Sequence, residues 1–386
     1  MNNARTVDYF NFRNRTENTS FGAAVDIAKS AGDSYDSKRM AHILYGICGQ
    51  GSGHAMRAKE ILAYLTSHGH QVHLVTYGQG EKLLAPHYPT TLVTGLHLNY
   101  QGNEVQYTKT VVENALKLPE FLRDRERIAT LAEDFQPEIV ITDFEPVTAA
   151  IAHRYHLPLL SIDNQHFITN TKVTYPVRFA PSAATATTVT RLIVNRADRY
   201  LVSSFVDAPI KNPKTTVVPP ILRQAVLTAQ PTTGDSILVY LTSACTDLLP
   251  ILSAWPDQFI VYGLNQAGTR GNVVLKPPSI DGFLHDLINC RAVIGTTGFT
   301  LVTEAIHLGK PYLGLPVAKQ FEQTINAYLL EQAGYGLMAA DITTDIINTF
   351  VSRLPEFAAN LARYPQPDNQ ATFQAIDRFI AEHGTK

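Results

Sequence analysis

The hydrophobic residues of this chain form short, nearly uninterrupted runs separated by amphipathic segments, and this arrangement occurs twice. The runs cover residues 42–47, 72–76, 139–142 and 159–162 in the first half, and 237–241, 259–262, 273–275, 292–294 and 312–315 in the second. Runs of this length are typical of parallel strands buried on both faces. One intervening segment carries Ala58, Ile61, Leu62 and Leu65 at helical spacing. The pattern predicts two doubly wound α/β domains.

Changes in composition indicate where these domains begin and end. The 386 residues exceed the usual size of one hydrophobic core. Residues 1–39 are polar and show no sustained hydrophobic period, so we expect a weakly ordered leader. The first predicted domain covers residues 40–218, a linker covers 219–235, the second domain covers 236–365, and a final helical segment covers 366–386.

Charge and cysteine content exclude several classes of function. The net charge is −2 and the pI about 6.7, so no global basic field favours nucleic acid. The three cysteines, Cys48, Cys245 and Cys290, are far apart and lack zinc-site spacing, which indicates a reducing compartment. No apolar run reaches transmembrane length, and the N-terminus lacks the apolar core of a signal peptide. We therefore expect a cytoplasmic protein that is at most peripheral to the inner face of the membrane.

The first predicted strand leads into a glycine-rich turn at the start of a helix. The turn consists of Gly49, Gln50, Gly51, Ser52 and Gly53. His54 stands where a dinucleotide-binding turn would have its third glycine, and the next strand ends without the acidic residue that binds a ribose in dehydrogenases. The turn therefore argues against a dehydrogenase.

A second loop rich in glycine and hydroxyl groups follows the strand at 292–294. Its residues are Thr296, Thr297, Gly298, Phe299 and Thr300, and a helix begins at about Thr300. The start of a helix presents free N–H groups and the positive end of the helix dipole, which together attract a phosphate. This loop is predicted to bind the phosphates of a nucleotide.

The segment from residue 298 to 326 resembles the donor-binding segment of GT-B glycosyltransferases, a superfamily that includes plant UDP-glycosyltransferases and the peptidoglycan N-acetylglucosaminyltransferase. The matching residues are Gly298, Phe299, Glu304, Gly309, Pro311, Pro316, Glu322, Gln323, Asn326 and Ala327. Plant enzymes have a histidine where Thr296 stands, and this chain has two more residues between Pro316 and Glu322. The broader likeness covers residues 41–335 and implies two Rossmann-like domains facing a central cleft.

The resemblance assigns the donor, a nucleoside diphosphate sugar with uridine expected, to the second domain. Thr296, Thr297 and Gly298 would face the diphosphate, Glu304 the ribose, and Glu322 with Gln323 the sugar. The expected donor site also includes Thr242, Ser243, Phe299, Thr300 and Gln320. The acceptor, a small molecule or a lipid-linked one, would bind the first domain, and the final helix would pack back onto that domain.

His54 and Asp143 are the expected catalytic pair. In the family, a histidine in the first loop removes the proton from the acceptor hydroxyl, and an aspartate at the end of a later strand orients the imidazole. His54 could instead hydrogen-bond the loop, or bind an acceptor phosphate together with residues 49–53. Asp143 alone and Asp163 are the alternatives for the base.

The sequence also indicates that the expected transfer reaction needs neither a metal ion nor a cofactor. The sequence has no Asp-x-Asp motif, so no metal ion is expected. No cofactor is expected either, since the nucleoside diphosphate sugar would be a co-substrate. Direct displacement by an activated hydroxyl would invert the anomeric centre. Two alternatives stay open: a UDP-sugar 2-epimerase of the same architecture, and a protein that binds sugar nucleotides without catalysis.

Overall fold

The structure is a computed structural model that describes residues 40–101, 104–241 and 248–384. The predicted leader, residues 1–39, lies outside this part of the chain, as do the expected donor residues Thr242 and Ser243.

The first half of the described chain alternates strands and helices. In chain order its elements are β1 (His42–Ile47), α1 (Ser52–Ser67), β2 (Gln71–Thr76), α2 (Gln79–Leu84), β3 (Thr90–Leu92), β4 (Tyr100–Gln101), β5 (Glu104–Val105), α3 (Tyr107–Leu116), α4 (Leu118–Phe135), β6 (Ile139–Asp143), α5 (Pro146–Tyr155), β7 (Leu159–Asp163), α6 (Phe167–Asn170), α7 (Ala180–Ile193), β8 (Arg199–Ser203) and β9 (Thr215–Val218). A short 3₁₀ helix, Val177–Phe179, precedes α7. Seven of these strands form one sheet in the order β3-β2-β1-β6-β7-β8-β9.

The second half repeats this architecture. Its elements are α8 (Gln224–Leu227), β10 (Ser236–Tyr240), α9 (Leu248–Ser253), β11 (Gln258–Tyr262), β12 (Gly268–Arg270), β13 (Val273–Leu275), α10 (Ile280–Asn289), β14 (Ala292–Gly295), α11 (Phe299–His307), β15 (Tyr312–Gly314), α12 (Phe321–Gln332), β16 (Gly336–Met338), α13 (Thr344–Ser352), α14 (Leu354–Leu361) and α15 (Gln370–His383). The second sheet has the order β12-β13-β11-β10-β14-β15-β16.

Both sheets are essentially parallel. All pairings in the first sheet are parallel, and in the second only the edge pair β12 and β13 is antiparallel. The central strands carry apolar side chains on both faces because helices cover both sides. The carboxyl ends of parallel strands lie at one edge of each sheet, and ligands bind there in such folds.

The segment between the sheets and the end of the chain connect the two halves. β9 ends at Val218 and β10 begins at Ser236, with α8 between them. The last helix, α15, packs on the core of the first sheet through Ile376, Phe379 and Ile380. Among the described residues, no helix is both long and apolar enough to span a membrane.

Candidate active site

The glycine-rich turn after β1 is shaped by close approach of the backbone. A Cβ atom on Gly49 would lie 1.7 Å from the carbonyl oxygen of Tyr77, so only glycine fits there. Gly51 has a φ of 80° and precedes α1 without capping it through a side chain. Gln50 turns away to bind the backbone of Leu98 through both amide atoms, at 3.3 and 3.0 Å. Ser52 is exposed at the start of the helix. The turn leaves the beginning of α1 open to a ligand.

The turns of the two domains face each other. A Cβ atom on Gly53 would lie 2.7 Å from the hydroxyl oxygen of Thr300 at the start of α11. Because both turns follow the carboxyl ends of central strands, β1 and β14, the fold brings the two ligand-binding edges together. The cleft between the domains therefore has a helix N-terminus on each side.

His54 and Asp143 form a hydrogen-bonded pair at the N-terminal side of this cleft. β1 and β6 are neighbours with Ile47 opposite Asp143, which places the carboxylate beside the first turn of α1. Nδ1 of His54 lies 2.7 Å from Oδ1 of Asp143. Asp143 is completely buried, whereas the His54 side chain is 12% exposed. Among the described residues Nε2 of His54 makes no hydrogen bond, so it is free to act on a substrate.

Arg57, one turn further along α1, is the second partner of Asp143. Its Nε donates to Oδ2 at 2.6 Å and its Nη2 donates to Oδ1. Burial raises the pKa of the Asp143 carboxyl, but the charges of Arg57 and His54 and their hydrogen bonds outweigh burial and hold that pKa below its usual value. Asp143 is therefore ionised, and its lowered pKa makes it a weaker base than an ordinary carboxylate.

The ionised Asp143 fixes the tautomer of His54. Nη2 of Arg57 also lies 2.8 Å from Nδ1 of His54. The guanidinium can only donate hydrogen bonds, and the carboxylate of Asp143 can only accept them. A hydrogen bond between Nδ1 of His54 and that carboxylate therefore requires a proton on Nδ1. The neutral imidazole then carries its proton on Nδ1 and its lone pair on Nε2, which is the tautomer that a general base requires.

Asp163, the alternative base, is committed to another partner. Its Oδ2 lies 2.7 Å from Nδ1 of His166, and Nε2 of His166 lies 3.1 Å from the carbonyl oxygen of Val194. Because both ring nitrogens face acceptors, His166 is held as an imidazolium. Burial raises the pKa of Asp163, but His166 and the surrounding hydrogen bonds lower it overall to about 2. This buried ion pair supports the loop after β7.

The loop after β14 provides the expected phosphate site, although its threonines differ in availability. α11 has no side-chain cap within the described residues, since Gly298 precedes it. The hydroxyl of Thr297 donates to the carbonyl oxygen of Gln323 at 2.7 Å, so Thr297 braces the loop. The carbonyl oxygen of Thr296 accepts from the Tyr312 hydroxyl at 2.7 Å. The loop is thus held in place by the side chain of Thr297 and by that of Tyr312 on β15.

Phe299 and Gln323, two expected donor residues, have structural partners in the described chain. Phe299 packs in the core beneath α11, and its ring centroid is 6.3 Å from that of Phe205. Oε1 of Gln323 accepts from the backbone N–H of Val317 at 3.1 Å. Gln320 lies at the start of α12, and its buried Oε1 has no hydrogen-bond partner among the residues that the structure describes.

Glu304, the expected ribose ligand, is paired with an arginine from the segment between the sheets. Arg223 donates to its two carboxylate oxygens from Nε at 2.6 Å and from Nη2 at 2.7 Å. Glu304 is only 2% exposed. Burial raises the pKa of the Glu304 carboxyl above its usual value, and Arg223 lowers it in part.

Glu322, the expected sugar ligand, contacts the first domain directly. Nδ2 of Asn164 donates to its Oε1 at 3.0 Å, and Nε2 of Gln165 donates to its Oε2 at 3.2 Å. Asn164 and Gln165 follow β7, whereas Glu322 lies in the first turn of α12. The expected donor and base sites therefore meet across the cleft.

Four residues of this site were not predicted from the sequence: Arg57, Asn164, Gln165 and Arg223. Arg57 had a usable signal, because it lies three residues after His54 on one helix. The other three meet their partners only through tertiary contacts. In the part of the chain described by the structure, no cluster of three or more His, Cys, Asp or Glu residues could hold a metal ion.

The fold consists of two Rossmann-like domains. A glycine-rich turn with a His and Asp pair lies on one side of the cleft, and a helix start that no described side chain caps lies on the other. This combination defines a glycosyltransferase of the GT-B type. The chain belongs to glycosyl transferase family 1, whose model matches residues 41–355.

The relatives agree with this assignment. An uncharacterized glycosyltransferase from Methanosarcina acetivorans is 24% identical over 327 residues, covering 77% of this chain and 85% of the relative. The crystal structure of the glycotransferase of kitacinnamycin is similar with a TM-score of 0.65 and 17% identity, covering 88% of this chain and 99% of the other. Phytolacca americana UGT2, complexed with UDP-2fluoro-glucose and pterostilbene, has a TM-score of 0.64, 16% identity and coverages of 89% and 99%. These structures confirm the predicted fold.

Proposed function

We propose that this glycosyltransferase moves a sugar from a UDP-sugar to a hydroxyl group of its acceptor, with inversion and without a metal ion. The observation that carries the proposal is the 2.7 Å contact between Nδ1 of His54 and Oδ1 of Asp143, which leaves Nε2 directed away from its partner. This pair lies on α1 and β6, across the cleft from the start of α11.

The donor is assigned to the second domain. Its diphosphate would meet the backbone N–H groups at the start of α11 and the hydroxyl of Thr300, a preorganised site for negative charge. Phytolacca americana UGT2, which has the same fold, is known with UDP-2fluoro-glucose, and this supports uridine. Glu304 would bind the ribose through the acceptor positions that Arg223 leaves unused, since a carboxylate offers about four. Glu322 would bind the sugar from the first turn of α12.

The acceptor hydroxyl would attack the anomeric carbon as Nε2 of His54 takes its proton. A bond forms between the acceptor oxygen and the anomeric carbon, and the bond from that carbon to the diphosphate oxygen breaks. Asp143 stabilises the resulting imidazolium, as the carboxylate does in a catalytic triad. The leaving diphosphate keeps the electron pair, and the helix N-terminus stabilises its charge. A single displacement of this kind inverts the anomeric configuration.

The proposal is tested by binding and transfer measurements on matched variants. A thermal-shift screen of nucleoside diphosphates and their sugars identifies the donor, since a ligand stabilises the folded state by mass action. His54→Asn and Asp143→Asn should each lower kcat by about 10²- to 10⁴-fold, with the thermal shift by UDP unchanged. His68→Asn, at the exposed end of the same helix, is the control and should leave kcat unchanged.

Three results would contradict this function. Near-wild-type transfer by His54→Ala under saturating substrates would exclude His54 as the general base. Retention of the anomeric configuration in the product, read by NMR, would exclude single displacement. Formation of a 2-epimer when the protein is incubated with UDP-N-acetylglucosamine alone would identify an epimerase.

A further inference from the structure

Asn164 connects a charged group in each domain. Its Oδ1 accepts from Nη1 of Arg57 at 2.7 Å, and its Nδ2 donates to Oε1 of Glu322 at 3.0 Å. A guanidinium group only donates and a carboxylate only accepts, so the two partners determine the orientation of the amide. Asn164 is 5% exposed and Arg57 is equally buried. The contact between Asn164 and Arg57 is thus shielded from water. Hydrogen bonds to charged groups are stronger in such a buried environment than in water.

Arg57 extends this connection to the expected base. It binds both carboxylate oxygens of Asp143, one of which also binds Nδ1 of His54. A continuous series of hydrogen bonds therefore runs from Glu322 in α12 to His54 in α1. Each group in it is an ion or is oriented by one, so a change of charge at one end acts on the other.

The contact between the domains depends on their closure. Glu322 belongs to the second domain, while Asn164 and Gln165 follow β7 of the first. Gln165 contacts the other oxygen of Glu322 and is not bonded to Arg57 within the described residues. Oε1 of Gln165 is buried and has no hydrogen-bond partner in the described part of the chain. The side-chain amides of Asn164 and Gln165 thus both bind the carboxylate of Glu322 across the cleft. Of these two residues, only Asn164 also contacts Arg57, whose charge compensates that of Asp143.

Resting on the proposed function, we propose that Asn164 is a positioning residue that couples Glu322 on the donor side to Arg57, and through it to the pair of His54 and Asp143. When the cleft is closed, Glu322 and Asn164 hold the guanidinium against Asp143. Opening the cleft removes Glu322 and leaves Arg57 with less negative charge around it. The negative charge around Arg57, and with it the electrostatic support of the pair of His54 and Asp143, is then greatest when the donor side is in place.

The direct test is the titration of His54, followed by NMR of its ring and assigned with His54→Asn. Asn164→Asp adds a negative charge beside Arg57 and should raise the midpoint of the His54 titration by about one pH unit. The matched control is Gln165→Glu, which places the same charge opposite Glu322 without contacting Arg57, and should shift the midpoint much less. Equal shifts in the two variants, or no shift in either, would overturn the inference.

A second variant approaches the same contact from the other domain. Glu322 is only half-buried, so Glu322→Gln is compatible with folding. In the wild-type background this substitution should lower kcat. In the Asn164→Asp background it should raise kcat on the order of tenfold, because the new amide at position 322 can donate to the new carboxylate and restore the geometry. Equal losses in both backgrounds would refute the coupling.

The two readouts separate this inference from the proposed function. If the wild-type protein transferred no sugar to any acceptor, the proposed function would fail, while the NMR titration would still decide whether Asn164 couples to His54. If transfer occurred normally and the titration midpoints of the Asn164 and Gln165 variants agreed, the inference alone would fail.

Discussion

Replacing Arg223 with methionine would leave the carboxylate of Glu304 buried without its partner. The two ion-pair distances are 2.6 and 2.7 Å, and Glu304 is 2% exposed while the Arg223 side chain is 13% exposed. Neither group can regain full hydration in the folded state. The pair therefore differs from a surface salt bridge, whose loss is nearly neutral.

The expected magnitude follows from this burial. Removing one partner of a buried ion pair costs about 3 to 5 kcal/mol, because the remaining charge is uncompensated. Since burial already raises the pKa of Glu304, the variant can reduce this cost by binding a proton. A group whose pKa is higher in the folded state loses stability as pH rises through that pKa. The Arg223→Met variant should lose about 3 kcal/mol at pH 8, and less at pH 5.

The single tryptophan of the chain makes the measurement specific. Trp255 packs on the core of the second domain, which contains Glu304, so its fluorescence in urea reports the unfolding of that domain. The slope with urea should stay constant while the midpoint falls. The double variant Arg223→Met with Glu304→Leu should recover most of the loss, since no charge then stays buried.

An exposed ion pair provides the control. Arg353 and Glu356 are bonded at 2.9 Å, but their side chains are 42% and 54% exposed. Arg353→Met should therefore cost less than about 0.5 kcal/mol. A loss in Arg223→Met no greater than in this control, or a loss that is the same at pH 5 and pH 8, would refute the electrostatic reasoning.

Three further predictions follow. Burial alone would lower the pKa of His166, but Asp163 raises it overall. The ion pair therefore contributes fully to stability below about pH 6.5 and weakens as pH rises through the folded-state pKa. Urea unfolding followed by circular dichroism should show this loss of stability, and His166→Gln should abolish the pH dependence of the loss. Gly49→Ala should prevent folding of the first domain, because its Cβ would lie 1.7 Å from the oxygen of Tyr77, whereas Gly51→Ala, with open space around it, should cost about 1 to 2 kcal/mol from its positive φ alone. Transfer should continue in excess EDTA, and a loss restored by added Mg²⁺ would contradict the metal-independent proposal.

The sequence predicted the fold class because the relevant signals are local. Strand and helix identity follows from the spacing of apolar residues over a few positions, and both alternating series are confirmed. The turns at Gly49 and Gly298 could also be recognised, since glycine content and position relative to a strand are properties of the sequence. These turns then place the expected ligand-binding groups at the carboxyl edges of the sheets.

The pairing of charges depended on tertiary structure. Glu304 was assigned through the resemblance to the GT-B donor segment, which carries no information about Arg223. That residue is 81 positions away and contacts Glu304 only after the domains assemble. The contact of Asn164 with Glu322 spans 158 residues and two domains. Such pairs form wherever burial would otherwise leave a charge uncompensated, and burial is decided by the whole fold.

His54 and the start of α11, at opposite ends of the site, show most clearly what the sequence determined and what the tertiary structure decided. By itself, the sequence determined that two α/β domains would form and that His54 and the start of α11 would each end a strand-loop unit, because backbone preferences and hydrophobic periodicity act over short distances. Only the tertiary structure decided that Arg57, Asn164 and Glu322 would connect these ends, because hydrogen bonds between side chains require positions that the packing of both domains sets together.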